Sequence, residues 1–367
     1  MNYKYADTPE SIRMAVREVA SRDAVEGILL CAAPDDGLDE WLDPFLRELD
    51  VSVFGGVFPE VIHDGENKGS GAVICGLSSE PHVTTIRGLS GADPDYTSTL
   101  DADLPLDGYE TAFVFVDAYA TNIQEFIESL FRTYSVELNF IGGGAGTLEA
   151  EQHPCLFTNE GIIEDSAVMA AVESPITLGV EHGWREIAGP FRVTDADGST
   201  LRRLDGQPAF SAYKSAVDEH AESELAADDF FETAKAYPFG IARMDREQIV
   251  RDPFEVTEED GLDCFGAIPE GEFVHVLKGE PESLIDAARR AKTEARDSDT
   301  PVEGLFFFDC ISRVLYLEDK FERELSAVKT DNTPMIGALT IGEIANDGYG
   351  HLDYYNKTAI VGAVEEI

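Results

Sequence analysis

Apolar positions recur along the chain at two spacings. After Thr8-Pro9-Glu10, where a hydroxyl N-cap precedes a proline in the first turn, Ile12, Ala15, Val16, Val19 and Ala20 follow the helical period and predict a helix. EGILLCAA then reads as a strand, DEWLDPFLRELD holds a helix, and VSVFGG and SGAVICGL read as further strands. The same order returns twice. YETAFVFVDAY is a strand, Asn122 to Phe131 a helix with Ile123, Phe126, Ile127, Leu130 and Phe131 on one face, and NFIGGG follows, before a hairpin around Asn159-Glu160-Gly161. Later, EGLFFFDC, EDKFERELSAV, TPMIGALTIGEI and KTAIVGAV repeat the pattern.

VFGGVFPEV, FIGGGAGTL and MIGALTIGEI therefore stand at corresponding places, each after a strand–helix unit and before paired strands. They mark an internal repeat whose irregular period fits duplicated units better than a solenoid. Between the second and third units, Phe191–Thr194 and Ser199–Leu204 read as a hairpin, and Gln207 to Glu219 as a helix. The acidic HAESELAADD is the linker candidate, and SLIDAARRAKTEA is a further helix. The expected class is α/β (α+β): two related α/β halves with mixed sheets, built from repeated strand–helix–strand–hairpin units.

Four glycines within Gly142–Gly146 raise the question of a phosphate cradle. A dinucleotide loop opens a helix with G-x-G-x-x-G spacing, but position 147 is threonine and a hairpin follows. Gly-Lys-Ser/Thr is absent as well. A tight turn bordering a pocket is the better reading.

Charge changes the picture more than hydrophobicity does. Acidic residues number 72 against 27 basic ones, a net charge of −45. Such a chain self-repels in dilute salt, and its acidic excess, with arginine outnumbering lysine, suggests a salt-loving microbe. No basic patch offers phosphate contacts, which argues against nucleic acid. No apolar run approaches a membrane span, and MNYKYADTPE has no signal-peptide pattern. Five scattered cysteines without a C-x-x-C pair read as free thiols in a reducing cytoplasm.

Histidine spacing supports no metal site. Asp309, Cys310 and Arg313 sit where a strand ends, the usual ligand edge of an α/β sheet. Cys310 is either the best nucleophile candidate or a buried inert thiol. Arg313 either clamps a ligand carboxylate or forms a structural ion pair. Glu343 either binds an amine or is a solvated turn residue. His182, beside Gly183 and Trp184, either ligates a haem iron or is a hydrogen-bonded turn histidine.

IGGGAGTLEAEQHPCLFTNEGIIEDSAVMAAVE, HGW and VTDADGSTLRRLDGQPA resemble the N-terminal FIST domain; YPFGIAR, IPEGEFVHVL, FFFDCISR, IGEI and Asn356-Lys-Thr358 resemble its C-terminal partner. The resemblance implies a FIST N-like ligand-binding domain over 27–210, a FIST C-like domain over 211–367 and an N-terminal helix in 1–26. It implies a non-catalytic cytoplasmic sensory module that binds a small ligand, such as an amino acid, between two halves. By position it points to Gly143, Gly144, Asn159, Cys310, Arg313, Gly342, Glu343 and Asn356 as ligand-binding residues, and to His182. One branch of the family binds haem and senses nitric oxide, so a haem sensor with His182 as ligand is the alternative; an enzyme using Cys310 or Glu343 is a further one. No output module precedes Ile367, so the expected sensor signals through a partner such as a histidine kinase, with no nucleic acid or membrane involved.

Overall fold

The computed structural model describes all residues except 93, 104–107, 136, 150–151, 222–223, 244–247, 297–300, 347–350 and 366. Three units follow one order: edge strand, helix, central strand, helical segment, second central strand, hairpin, return strand. In the first unit these are Asn2–Ala6, Pro9–Ala20, Gly27–Ala32, Leu38–Arg47, Ser52–Val57, Glu60–His63 with Glu66–Lys68, and Ala72–Leu77. The second has His82–Arg87, Thr97–Asp103, Thr111–Asp117, Ile123–Tyr134, Asn139–Ala145, Leu156–Thr158 with Gly161–Ile163, and Ser166–Val172. The third starts at Ile176–Glu181 and resumes after an insertion with Pro281–Ala295, Gly304–Cys310, the short helices Ile311–Leu317 and Phe321–Val328, Met335–Thr340, Glu343–Asn346 with Leu352–Tyr355, and Ala359–Val364. The predicted start of the first helix holds: Thr8 accepts from the Ser11 N–H, and Pro9 opens the helix.

Four strands of each six-stranded sheet come from one unit, and the two-stranded hairpin comes from another. The first unit's hairpin pairs with Met335–Thr340 of the third, the second unit's with Ser52–Val57 of the first, and the third unit's with Asn139–Ala145 of the second. The exchange is cyclic, so no unit completes its own sheet. The two central strands of each sheet run parallel and the other pairings antiparallel, which makes all three sheets mixed.

Alternation along the central strands gives each sheet two buried faces. Phe113 and Phe115 point to a shared core, where they meet Phe54 at 5.6 Å, Phe306 at 5.1 Å, Phe58 at 5.3 Å and Phe308 at 5.6 Å. Their neighbours Val114 and Val116 join a separate cluster with Phe126, Ile127 and Leu130 of the covering helix. The three sheets thus enclose a common aromatic core, with helices outside.

The insertion forms a seven-stranded antiparallel sheet from Arg185–Asp197 to Phe273–Lys278, in which Arg185–Asp197 also pairs with Thr200–Leu204. Its apolar side holds Tyr213, Phe230 and Phe239. The predicted helix from Gln207 is shorter, Ala209–Asp218, because Gln207 and Pro208 pair with Leu204 and Arg203 instead.

The glycine run is a correction. Gly142, Gly143 and Gly144 lie inside the strand Asn139–Ala145 rather than in a turn. A Cβ on Gly142 would stand 2.0 Å from the Val114 carbonyl oxygen, and its counterparts Gly55 and Gly337 face the Leu30 and Phe307 oxygens at 1.9 Å. Three equivalent glycines let neighbouring parallel strands approach at the same point. Gly142→Ala is expected to cost at least about 1–3 kcal/mol through overpacking; a urea midpoint equal to that of the parent protein would refute this.

Candidate functional site

The three hairpin junctions are geometrically equivalent, so their differences are informative. One residue beyond each of these glycines, the partner on the incoming hairpin is Leu156 opposite Gly56, Val61 opposite Ala338, and Glu343 opposite Gly143. The fold thus accepts an apolar residue here twice and has a carboxylic acid once. Glu343 is fully buried. Its Oε1 accepts from the Thr340 hydroxyl at 2.9 Å, its Oε2 from the Thr358 N–H at 3.2 Å, and the Cys310 thiol also bonds to it. Burial pushes this carboxyl up to about 8, against the opposing pull of those hydrogen bonds.

Gly143, Gly144, Cys310, Gly342 and Glu343 are brought together here. The Gly144 N–H donates to Gly342 O at 2.8 Å, and the Ile341 N–H to Gly144 O at 2.9 Å. Ala118, Tyr119 and Ile341 beside it are half-buried; a Cβ on Gly144 would stand 2.9 Å from Ala118 Cβ, and one on Gly146 3.5 Å from Ile341 Cδ1. The Cys310 thiol receives the N–H groups of Lys357 and Ser312, yet burial, and then the neighbouring Glu343, push it far up. A thiol held neutral in this way is a poor nucleophile.

Arg313 lies behind this cluster and is fully engaged. Its guanidinium pairs with Asp309 at 3.1 Å and with Glu324, and donates to the carbonyls of His182 at 2.7 Å, Lys357 at 3.0 Å and Leu284 at 3.0 Å. The structural ion pair, not the ligand clamp, is therefore the arrangement seen. Burial, then Glu324, raises Asp309 well above the usual carboxylate range. Asn356 donates from its side chain to Val250 O at 3.3 Å and Phe265 O at 2.9 Å, which ties the third unit to the insertion. Asn159 is not brought to the cluster. It lies in the hairpin joined to the first unit's sheet, where it accepts from the Val53 N–H and donates to Leu49 O and Val51 O.

His182 is 3% exposed, and its Nδ1 accepts from the Trp184 N–H at 2.8 Å. A Cβ on the adjacent Gly183 would stand 2.6 Å from Ser283 O, so the backbone is packed tightly against the helix Pro281–Ala295. These surroundings do not fit a haem, and the hydrogen-bonded turn histidine is the arrangement seen. Burial, then Arg313, lowers the imidazole to about 3. A lowered folded value gives stability that is present above pH 6.5 and is lost as pH falls toward 3. His182→Asn, which keeps an acceptor for Trp184, is expected to flatten that acid slope by up to about 1.4 kcal/mol per pH unit, read from urea unfolding between pH 4 and 6.5.

Sequence reasoning did not single out Lys357 or Asp252. Lys357 is fully buried, with Nζ 2.9 Å from Asp252 Oδ2 of the insertion, 3.0 Å from Lys235 O and 5.0 Å from the Trp184 ring centre. Its main chain bonds to Cys310, Arg313 and Trp184, so one residue links the Glu343 cluster to the inserted sheet. The available signal was its position directly before the last strand, between Asn356 and Thr358. Among the described residues, no group of metal-ligating side chains is assembled and no helix is long and apolar enough to cross a membrane.

Residues 26–207 match the FIST N domain and residues 209–346 the FIST C domain. An uncharacterised protein of Methanocaldococcus jannaschii is 23% identical over 231 residues, 59% of this chain and 44% of its own length; the chain thus spans less than half of that relative. A solved structure of PurLQS from Thermotoga maritima aligns at 9% identity over 98% of this chain and 69% of its own, with a TM-score of 0.19. With the two matched domains covering most of its length, the chain belongs to the FIST family, whose domains are sensory modules.

Proposed function

We propose that this protein is a non-catalytic small-ligand sensor whose ligand, such as an amino acid, binds at the Glu343 junction. The carrying observation is the comparison of the three junctions: a buried acid stands where equivalent positions hold Val61 and Leu156, so the fold does not call for it. The high thiol pKa of Cys310 favours binding over covalent catalysis. Lys357 and Asn356 join this junction to the inserted sheet, so occupancy there shifts the insertion relative to the third unit and alters docking to a signalling partner such as a histidine kinase. The charge of −45 fits a cytoplasm rich in salt.

A thermal-shift screen of amino acids in multimolar KCl tests this reading. A ligand at 100 times its Kd stabilises the folded state by about 2.7 kcal/mol. A rise in melting temperature that is lost in Glu343→Leu supports the assignment. No shift with any compound at saturating dose defeats it.

A further inference from the structure

The five buried carboxyl groups among the described residues are not served alike. Asp252 faces Lys357, and Asp309 and Glu324 share Arg313. Asp117 accepts three N–H bonds, from Tyr119, Gln152 and Asp165. Glu343 has one backbone N–H, one hydroxyl and one thiol, and no cationic group of the described residues lies within ion-pair distance. Its charged form therefore lacks both the counter-charge of Asp252, Asp309 and Glu324 and the three N–H donors of Asp117.

Resting on the sensor reading above, we infer that the Glu343 junction receives the ammonium group of a primary amine, and that binding expels the proton of Glu343 to solvent. The balance is simple. The ammonium stays protonated, the carboxylic acid becomes a carboxylate, and one proton leaves for the buffer. No bond other than the acid O–H is broken.

Several features favour a compact cation with N–H donors. The Thr340 hydroxyl that donates to Glu343 keeps lone pairs for an incoming N–H. Gly143 and Gly144 leave no room for bulk, since a Cβ on either would already meet the Gly342 or Ile341 carbonyl oxygen at 2.6 or 2.1 Å. The groups that face Glu343 are Cys310 and Tyr354, whose ionisation burial pushes far up, Asp309, paired with Arg313, and Arg313 itself, whose charge Asp309 and Glu324 already answer. None of them supplies a cation for Glu343. Burial raises the proton affinity of Glu343, and no ion-pair partner offsets it.

The test is calorimetric titration of the full chain with methylammonium chloride in multimolar KCl, with acetamide and acetate as neutral and anionic probes of the same size. Repeating each titration in two buffers of different ionisation heat counts the protons released. The expected result is close to one proton per methylammonium bound below pH 7, falling toward none above pH 9. Affinity should rise about tenfold per pH unit up to about pH 8 and then level off. Glu343→Gln should lose both the proton release and the pH dependence. Methylammonium binding without proton release, or unchanged in Glu343→Gln, overturns the inference. Acetamide or acetate binding in place of methylammonium also overturns it, while leaving the sensor reading standing. The proton count on the parent protein decides the matter even if the variant fails to fold.

Discussion

Arg313→Met is expected to destabilise the protein by about 3–5 kcal/mol, the cost of breaking a buried ion pair by removing one partner. Three consequences combine. Asp309 and Glu324, both fully buried, lose their shared cation. The carbonyls of His182, Lys357 and Leu284 lose a charged donor. The end of the strand Gly304–Cys310 loses its link to the helix Phe321–Val328. Arg313→Lys should recover only part of the loss, because one ammonium cannot span two carboxylates and three carbonyls in a planar fork. The deficit should also depend on pH. Without the arginine, both carboxyls stay protonated in the folded chain but ionise on unfolding above about pH 4. Urea unfolding at pH 4 and pH 7 should therefore show the larger deficit at pH 7. A loss below about 1 kcal/mol at both values would show that the triad does not hold this end of the sheet.

The repeated unit was legible in the sequence because each strand–helix–strand segment is local, and its periods of 2 and 3.6 show in any short window. The hairpin exchange was not. Glu60–His63 pairs with residues 336–339, and Glu343–Ala345 with residues 141–143, and no local pattern encodes such distant partners. The same limit explains the site. Cys310, Gly342 and Glu343 stood out at a strand end and a turn, but the solvated reading of Glu343 was open because what covers it, the strand Asn139–Ala145, lies some two hundred residues earlier. Arg313 was legible as a charge at the sheet edge. Its engagement was not, since its partners come from four separate segments. Asn159 looked like its neighbours in the motif pattern, yet its turn belongs to a different junction.

Glu343→Leu, which places here the leucine found at one equivalent junction (the other holds Val61), should reverse its effect on stability across the pH scale. The folded value of Glu343 is raised from 4.5 to about 8. Below pH 4.5 the acid is neutral in both folded and unfolded chains, and its contribution is fully present. As pH rises to about 8, the unfolded chain loses the proton while the folded chain keeps it, so stability falls by up to about 1.4 kcal/mol per pH unit and then levels off. His182 has the opposite slope between pH 6.5 and 3, so the two nearly cancel from about 4.5 to 6.5, and Glu343 dominates from 6.5 to 8. At pH 4.5 the leucine variant should be the weaker protein, because the Thr340 hydroxyl and the Thr358 N–H lose their acceptor at about 1–3 kcal/mol each. By pH 8 it should have gained several kcal/mol on the parent by the slope above. The crossing is the informative result, since a residue retained only for stability would not be overtaken by an apolar side chain of the kind that stands at both equivalent junctions. If the difference between the two proteins stays constant from pH 5 to 8, Glu343 does not carry a proton in the folded chain, and the case for this junction as the ligand site weakens with it.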